Sequence, residues 1–260
     1  MDKATLGGLV LAIGGILLGL LIEGGNLGQV LQPTAAMIVF GGTLGAILIQ
    51  YPLPVALNGF KRLVHVFVEP AQNPRSTIEL LVKYANQARR EGIISLDKET
   101  DSIQDPFLRR ALMLAVDGTE SQELRKMMEL ELDNKEEQEE KIPQLFESAG
   151  GFSPTIGIIG AVLGLIQVMQ HLDKIEEVGR GIAVAFVATI YGVGAANLFF
   201  LPAAGKLKIR IREEQIIREM TLEGVISILE GMNPRMLEAK LLGFLTQAHE
   251  NAAAPEGSNG

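Results

Sequence analysis

Charged side chains are missing from four long stretches of this chain, Ala4 to Ile22, Gly24 to Phe60, Ser148 to Leu172 and Gly181 to Gly205. A helix needs about 20 apolar residues to cross the hydrocarbon of a bilayer, so the pattern predicts four membrane spans. The second stretch is too long for one crossing, and the glycines of GGNLGQVLQP and the prolines of YPLPVALNGF trim it to 33–51. The other spans fall at 4–22, 152–170 and 181–202, and the charges gather in 52–151 and 203–260. Between the second and third spans the periodicity is helical. Asn73-Pro74 reads as a cap with a first-turn proline, after which Ile78, Leu81, Val82 and Ala85 make one apolar face up to Gly92. Asp105-Pro106 repeats the device for a helix ending at Gly118, and Thr119 with Gln122 offers a capping box for a third helix. That helix, from about Glu120 towards Phe146, leads into the third span as one rod, with a kink expected at Pro143. Glu136, Glu137, Glu139 and Glu140 read as a solvated face paired along the helix with Lys135 and Lys141. After a C-terminal helix, Asn251 to Gly260 has the composition of a disordered tail. The fold class is all-α, a polytopic membrane protein with four transmembrane helices and a helical cytoplasmic domain between the second and third.

The basic residues orient it. Thirteen Lys and Arg lie between Tyr51 and Gly151 and seven after Pro202, against none from Glu23 to Gln32 and two from His171 to Arg180. Cytoplasmic segments are enriched in Lys and Arg, so both termini and the large central segment are expected in the cytoplasm. Lys206, Lys208, Arg210 and Arg212 follow the fourth span directly, where they reach the inner headgroups. Met1 to Lys3 carries one basic residue and no small-residue cleavage site follows Ile22, so the first span reads as a retained helix.

Composition narrows the chemistry. With no cysteine there are no disulfides, thiol nucleophiles or cysteine metal sites, and a net charge of −8 argues against nucleic acid as a partner. His65, His171 and His249 are scattered, and His171 with Asp173 nearby makes a weak metal pair. No phosphate loop or Ser-His-Asp motif marks an enzyme, so neither enzymatic activity nor a cofactor is expected. Glycines four residues apart, Gly15 and Gly19, Gly41 and Gly45, Gly160 and Gly164, set small faces on three spans and predict close helix packing and an oligomer. No Asp, Glu, Lys or Arg lies within a span. Ion pumps and proton relays use such groups, so a chain of this kind that moves ions borrows its titrating group from a partner. The polar side chains left in the spans include Thr155 and Thr189.

The run AGGFSPTIGIIGAVLGLI from Ala149, with AVAFVATIYGVGAANLFFLPAAGKLK from Ala183, resembles the flagellar stator A-subunit family, the MotA and PomA proteins. GGTLGAILIQYP from Gly41, ARREGIISLD from Ala88 and the DGT turn at Asp117 extend the resemblance over nearly the whole chain. It implies a homopentamer around a dimer of single-span, peptidoglycan-binding B-subunits, which carry the ion-binding aspartate. It also implies torque against the rotor protein FliG, driven by ion flow across the bacterial inner membrane. By motif position, Pro154 and Pro202 match the prolines that couple ion binding to movement, while Arg89, Arg90 and Asp97 match the rotor-contact positions, where the family usually has Glu in place of Asp97. Thr189, Ala161 and Thr155 are assigned to the ion path. Sodium-driven relatives carry Thr where this chain has Ala161, and sodium needs more oxygen ligands than a proton, so H+ rather than Na+ is the expected coupling ion. Two other classes share parts of this pattern. Energisers of the TolQ and ExbB group resemble the last two spans but place most of their cytoplasmic mass between the first and second, and a permease would show internal repeats with a polar midplane site.

Overall fold

The computed structural model describes residues 3–64 and 73–253. His65 and residues 254–260 of the expected disordered tail lie outside them, whereas Asn251 to Ala253 complete the last helix. Every regular element among the described residues is helical, and four helices are long and apolar enough to cross a membrane. The chain divides into two units, Met1–Glu69 with Glu140–Lys208, and Pro70–Glu139 with Ile209–Gly260.

The first unit holds the spans. Helix α1 (Lys3–Ile22) is followed by a short turn, Leu27–Val30, and by a second span in three pieces: α2 (Pro33–Ala36), a wide π segment (Met37–Gly41) and α3 (Gly42–Gln50). Tyr51 takes an extended conformation and Pro52 opens a further helix, α4 (Leu53–Leu63), so the prolines that mark the end of the second span also start a new element. Helix α8 (Ser121–Gln170) supplies the third span and runs uninterrupted through Pro143 and Pro154. Helix α9 (Ile175–Ala195), a second π segment (Ala196–Phe200) and the start of α10 (Leu201–Leu229) make the fourth. Pro202 is the second residue after that π segment. It cannot donate to the carbonyl four residues back, and a wide turn with i→i+5 bonding is the local alternative.

Packing in this unit is uneven. Ile47, Ala56, Leu145, Phe146, Ala203 and Leu207 form one buried cluster, with Phe60 edge-on to Phe146 at 6.5 Å between ring centres. Ala35, Val39, Val187 and Ala188 form a smaller one. Helix α1 by contrast is open to its surroundings, with Leu11 78% and Ile22 84% exposed. In water such surface would be costly, but in a bilayer it faces lipid or another helix.

The second unit is a helical domain with an ordinary apolar core. Helix α5 (Pro74–Glu91) is capped by the Asn73 side chain, which accepts from the Arg75 backbone at 3.0 Å, and α7 (Pro106–Val116) by Asp105, which accepts from Phe107 at 2.9 Å. Between them lie a 3-10 turn, Ile93–Leu96, and one turn of helix, α6 (Asp97–Thr100). Leu81, Tyr84, Leu96, Leu108, Leu124, Met220 and Ile226 pack together with Leu237 of α11 (Pro234–Ala253). Helix α8 starts at Ser121, which puts Glu120 rather than Thr119 at its capping position. The acidic run is also not wholly solvated. Glu139 is 6% exposed and accepts from Arg218 of α10 at 3.0 Å, and Glu136 accepts from Gln215. A helix face meets water only where no neighbour packs against it, and here α10 does.

Candidate functional site

The third and fourth spans meet at backbone distance. A Cβ placed on Gly157 would lie 2.9 Å from the Ala188 carbonyl oxygen, one on Gly164 would lie 2.8 Å from that of Gly181, and one on Gly192 would lie 2.5 Å from that of Ser153. Small residues at Gly157, Gly160 and Gly164 thus interlock with Gly181, Ala185, Ala188 and Gly192, all buried. Of the predicted glycine pairs only Gly160 and Gly164 belong to this seam. Gly15, Gly19, Gly41 and Gly45 have no atom within 4 Å of such a Cβ among the described residues, so the faces they open stay uncovered there. Gly157, Gly181 and Gly192 are the residues sequence reasoning missed, although the small positions Gly181, Ala185, Ala188 and Gly192, repeating every three or four residues, carry the signal.

Thr189 sits on this seam. Its Cα is 3.5 Å from the Cβ position of Gly157, and its hydroxyl donates to the Ala185 carbonyl oxygen at 3.2 Å. That bond uses the hydroxyl's proton and leaves its oxygen able to accept. Half-buried, Thr189 also lines a cavity of about 440 Å³ with Ile16, Phe186, Val193 and Asn197. Ala161 is half-buried one turn along α8 from Gly157. Pro154, seven residues before Ala161, shares its helix face, and its Cα lies 3.2 Å from the Cβ position of Gly192. Thr155 is turned away from that face, exposed, and donates back to the Phe152 carbonyl at 2.8 Å. Pro202 is exposed and lies at the end of the fourth span, next to Leu201, whose side chain is 2.6 Å from the Cβ position of Gly150. Thr189 and Pro154 therefore lie at the seam, Ala161 is on the Pro154 face of α8, and Thr155 is turned away from it. Beside Pro154, the Ser153 hydroxyl is buried with no hydrogen-bond partner among the described residues. Two residues beyond Thr189, the Tyr191 hydroxyl donates to the Val30 carbonyl and accepts from the Gln32 backbone at 3.3 Å, tying the connection between the first two spans to the fourth.

The charged tip is built by a glycine. Arg89 and Arg90 occupy the last turn of α5, and Gly92 at φ +86 turns the chain through a conformation that side chains with a Cβ rarely adopt. Asp97 then opens α6. Arg89, Arg90 and Asp97 are all exposed, held from beneath by Leu96, which is fully buried. Ile94, 74% exposed between them, adds an apolar contact that the charge pattern does not reveal. The Gln87 side chain donates to the Ser95 carbonyl at 3.2 Å and Lys83 pairs with Glu99 at 3.0 Å, which fixes the turn against α5. Deeper in this unit, burial would raise the Glu223 carboxyl, but hydrogen bonds from Lys240 and Arg125 outweigh it and hold it below its ordinary value. Glu219 has the opposite balance. Burial, helped by Glu136, pushes it up against the opposing charge of Arg212. His171 hydrogen-bonds the Gln167 carbonyl at 3.0 Å and faces Glu177 at 3.3 Å, so its carboxylate neighbour is Glu177 rather than Asp173.

Residues 99–220 match the MotA/TolQ/ExbB proton channel family, and residues 6–92 match the model for the N-terminal part of motility protein A. Motility protein A of Bacillus subtilis is 35% identical over 94% of this chain and 91% of its own. This chain belongs to the motility protein A family. Motility protein A of Helicobacter pylori is 34% identical over 99% of this chain and 100% of its own, and the chemotaxis protein PomA of Vibrio alginolyticus is 28% identical over 95% and 96%. The fold agrees over the same length. The structure of C. jejuni MotAB superposes with a TM-score of 0.89, 32% identity and 100% coverage of both chains. The flagellar MotAB stator complex of Bacillus subtilis gives 0.86 at 33% identity, covering 97% of this chain and 100% of that one. Motility protein A is a stator and ion-channel subunit family, not an enzyme family.

Proposed function

We propose that this protein is the A-subunit of a flagellar stator that turns ion flow into torque on the rotor. The observation that carries the proposal is a full-length fold shared with MotAB stators, combined with four spans that contain no Asp, Glu, Lys or Arg. Such a channel works only when a partner brings the carboxylate into the membrane. That partner is a MotB-like B-subunit, single-span and anchored to peptidoglycan, held as a dimer inside a homopentamer of this chain in the bacterial inner membrane. The open faces around Gly15, Gly19, Gly41 and Gly45 favour further helix contacts. Both termini and the 52–151 and 203–260 segments lie in the cytoplasm, as their basic residues favour. The match of residues 6–92 to the motility protein N-terminal model favours a stator over a TolQ or ExbB energiser. Native mass spectrometry of the complex purified with its B-subunit is expected to give five copies to two, and a stable A-subunit dimer would refute the assembly.

Ions pass the B-subunit aspartate beside Thr189 and Ala161, with Thr155 on the approach. Pro154 and Pro202 relay the change to the rotor-facing tip. The driving ion is H+, because Ala161 removes a hydroxyl that dehydrated sodium would need. Cells with this protein as their only A-subunit are expected to swim without added sodium and to stop when given a protonophore. Speed that follows external sodium at constant pH would reverse the assignment.

At the tip, Arg89, Arg90 and Asp97 meet FliG, where complementary charge gives fast, repeatable engagement rather than tight binding. Arg89→Glu is expected to lower swimming severalfold with assembly intact, since the residue is exposed and outside the core. Arg90→Glu and Asp97→Lys alone should do less, because exposed charges share the contact. Loss of assembly in Arg89→Glu would make the residue structural.

A further inference from the structure

We propose that the groove between the first and fourth spans holds one acyl chain of an anionic phospholipid from the inner leaflet, a placement that rests on the orientation proposed above. A cavity of about 380 Å³ opens there, within the range of roughly 300–1,000 Å³ typical of ligand sites. Its α1 wall includes Ala4, Gly8 and Ala12, small side chains four residues apart on one helix face, so α1 lies over the fourth span without filling the space. Leu198 and Phe199 face them. The polar lining is confined to Thr5, Asn197 and Lys206.

Length, width and charge point to a lipid tail. From Asn197 to Lys206 the wall rises about 14 Å at 1.5 Å per helical residue, close to half of a hydrocarbon core about 30 Å thick. The groove therefore has the depth of one leaflet. A single hydrocarbon chain fits. Lys206 stands at the mouth, on the side where Lys208 and Arg210 continue the basic flank, so the headgroup met there is favoured when negative. The chain fills the gap left by Ala4, Gly8 and Ala12 with van der Waals contact, the attraction that acts between apolar surfaces within a bilayer.

The test uses the whole complex with its B-subunit, exchanged into phosphatidylglycerol or phosphatidylcholine and examined by native mass spectrometry. The expected result is one retained phosphatidylglycerol per A-subunit. Gly8→Leu has room for its side chain, since no atom lies within 4 Å of a Cβ at that position, and should reduce retention at least tenfold with the oligomer intact. Lys206→Gln provides an independent variant and should lower the preference for phosphatidylglycerol over phosphatidylcholine at least threefold. Unchanged retention in both variants overturns the proposal. So does a disulfide between copies when cysteines replace Ala12 and Leu198, because a neighbouring chain would then fill the groove; the native chain has no cysteine to confuse the result. Labelling of a cysteine at Lys208 by an impermeant reagent from outside the cell would instead refute the orientation, while the retention counts still report on the groove.

Discussion

Gly192→Ala is expected to abolish motility. Its added methyl would lie 2.5 Å from the Ser153 carbonyl oxygen, 3.1 Å from the Gly157 Cα and 3.2 Å from the Pro154 Cα. These are backbone atoms, so no rotamer change relieves the clash and the two helices must separate. Overpacking of this kind costs about 1–3 kcal/mol, and it falls where α9 faces Pro154. The same shift moves Thr189 away from Gly157, so ion passage fails together with packing. Gly7→Ala is the matched control, since nothing lies within 4 Å of that position. Swim-plate diameter and the amount of protein in the membrane fraction report the outcome. A Gly192→Ala strain that swims like its parent would mean that the working motor does not pack these helices at backbone distance.

Arg218→Met is expected to unfold or strongly destabilise the unit that carries the tip. The Arg218 side chain is 13% exposed and bonds Glu139, whose side chain is 8% exposed, at 3.0 Å and Glu214 at 3.1 Å. Deleting the guanidinium takes from the buried Glu139 carboxylate the charge that bonds it at 3.0 Å, and breaking a buried pair in this way costs about 3–5 kcal/mol. Domains are stable by only about 5–15 kcal/mol, so the loss takes a large share. The double variant Arg218→Met with Glu139→Met removes both charges and should recover much of it, since well-packed apolar replacements of buried pairs are often neutral. Limited proteolysis of the purified complex, comparing the single and double variants, measures both effects. Equal protease resistance in Arg218→Met and the parent would show that water reaches the pair.

Features encoded by neighbouring residues are legible in the sequence. Asn73-Pro74 and Gly92 bracket α5 because a cap, a fixed proline φ and a positive-φ glycine act within a few residues of themselves. The exposed charges at Arg89, Arg90 and Asp97 follow from that same turn. The candidate ion site is legible as residues but not as a place. Thr189 stands out as a hydroxyl in an apolar span, yet nothing local says that it faces Gly157 across a helix pair, or that Thr155 turns back to its own helix. Glu139 is the plainest miss, because its burial comes from α10, which lies far along the chain. The π segment at Met37–Gly41 carries no residue pattern that separates it from ordinary helix, whereas the one at Ala196–Phe200 is followed two residues on by Pro202.

By itself the sequence determined that this is a four-span, all-α membrane protein with no Asp, Glu, Lys or Arg of its own in the spans. Length, charge placement and helix caps each act locally or along one segment. The tertiary structure alone decided which glycines meet, that Gly157, Gly164, Gly181 and Gly192 form the seam while Gly15, Gly19, Gly41 and Gly45 stay open. The physical reason is that a small side chain permits close approach from any direction but does not name the partner. Which helix arrives is settled by the packing of all the others.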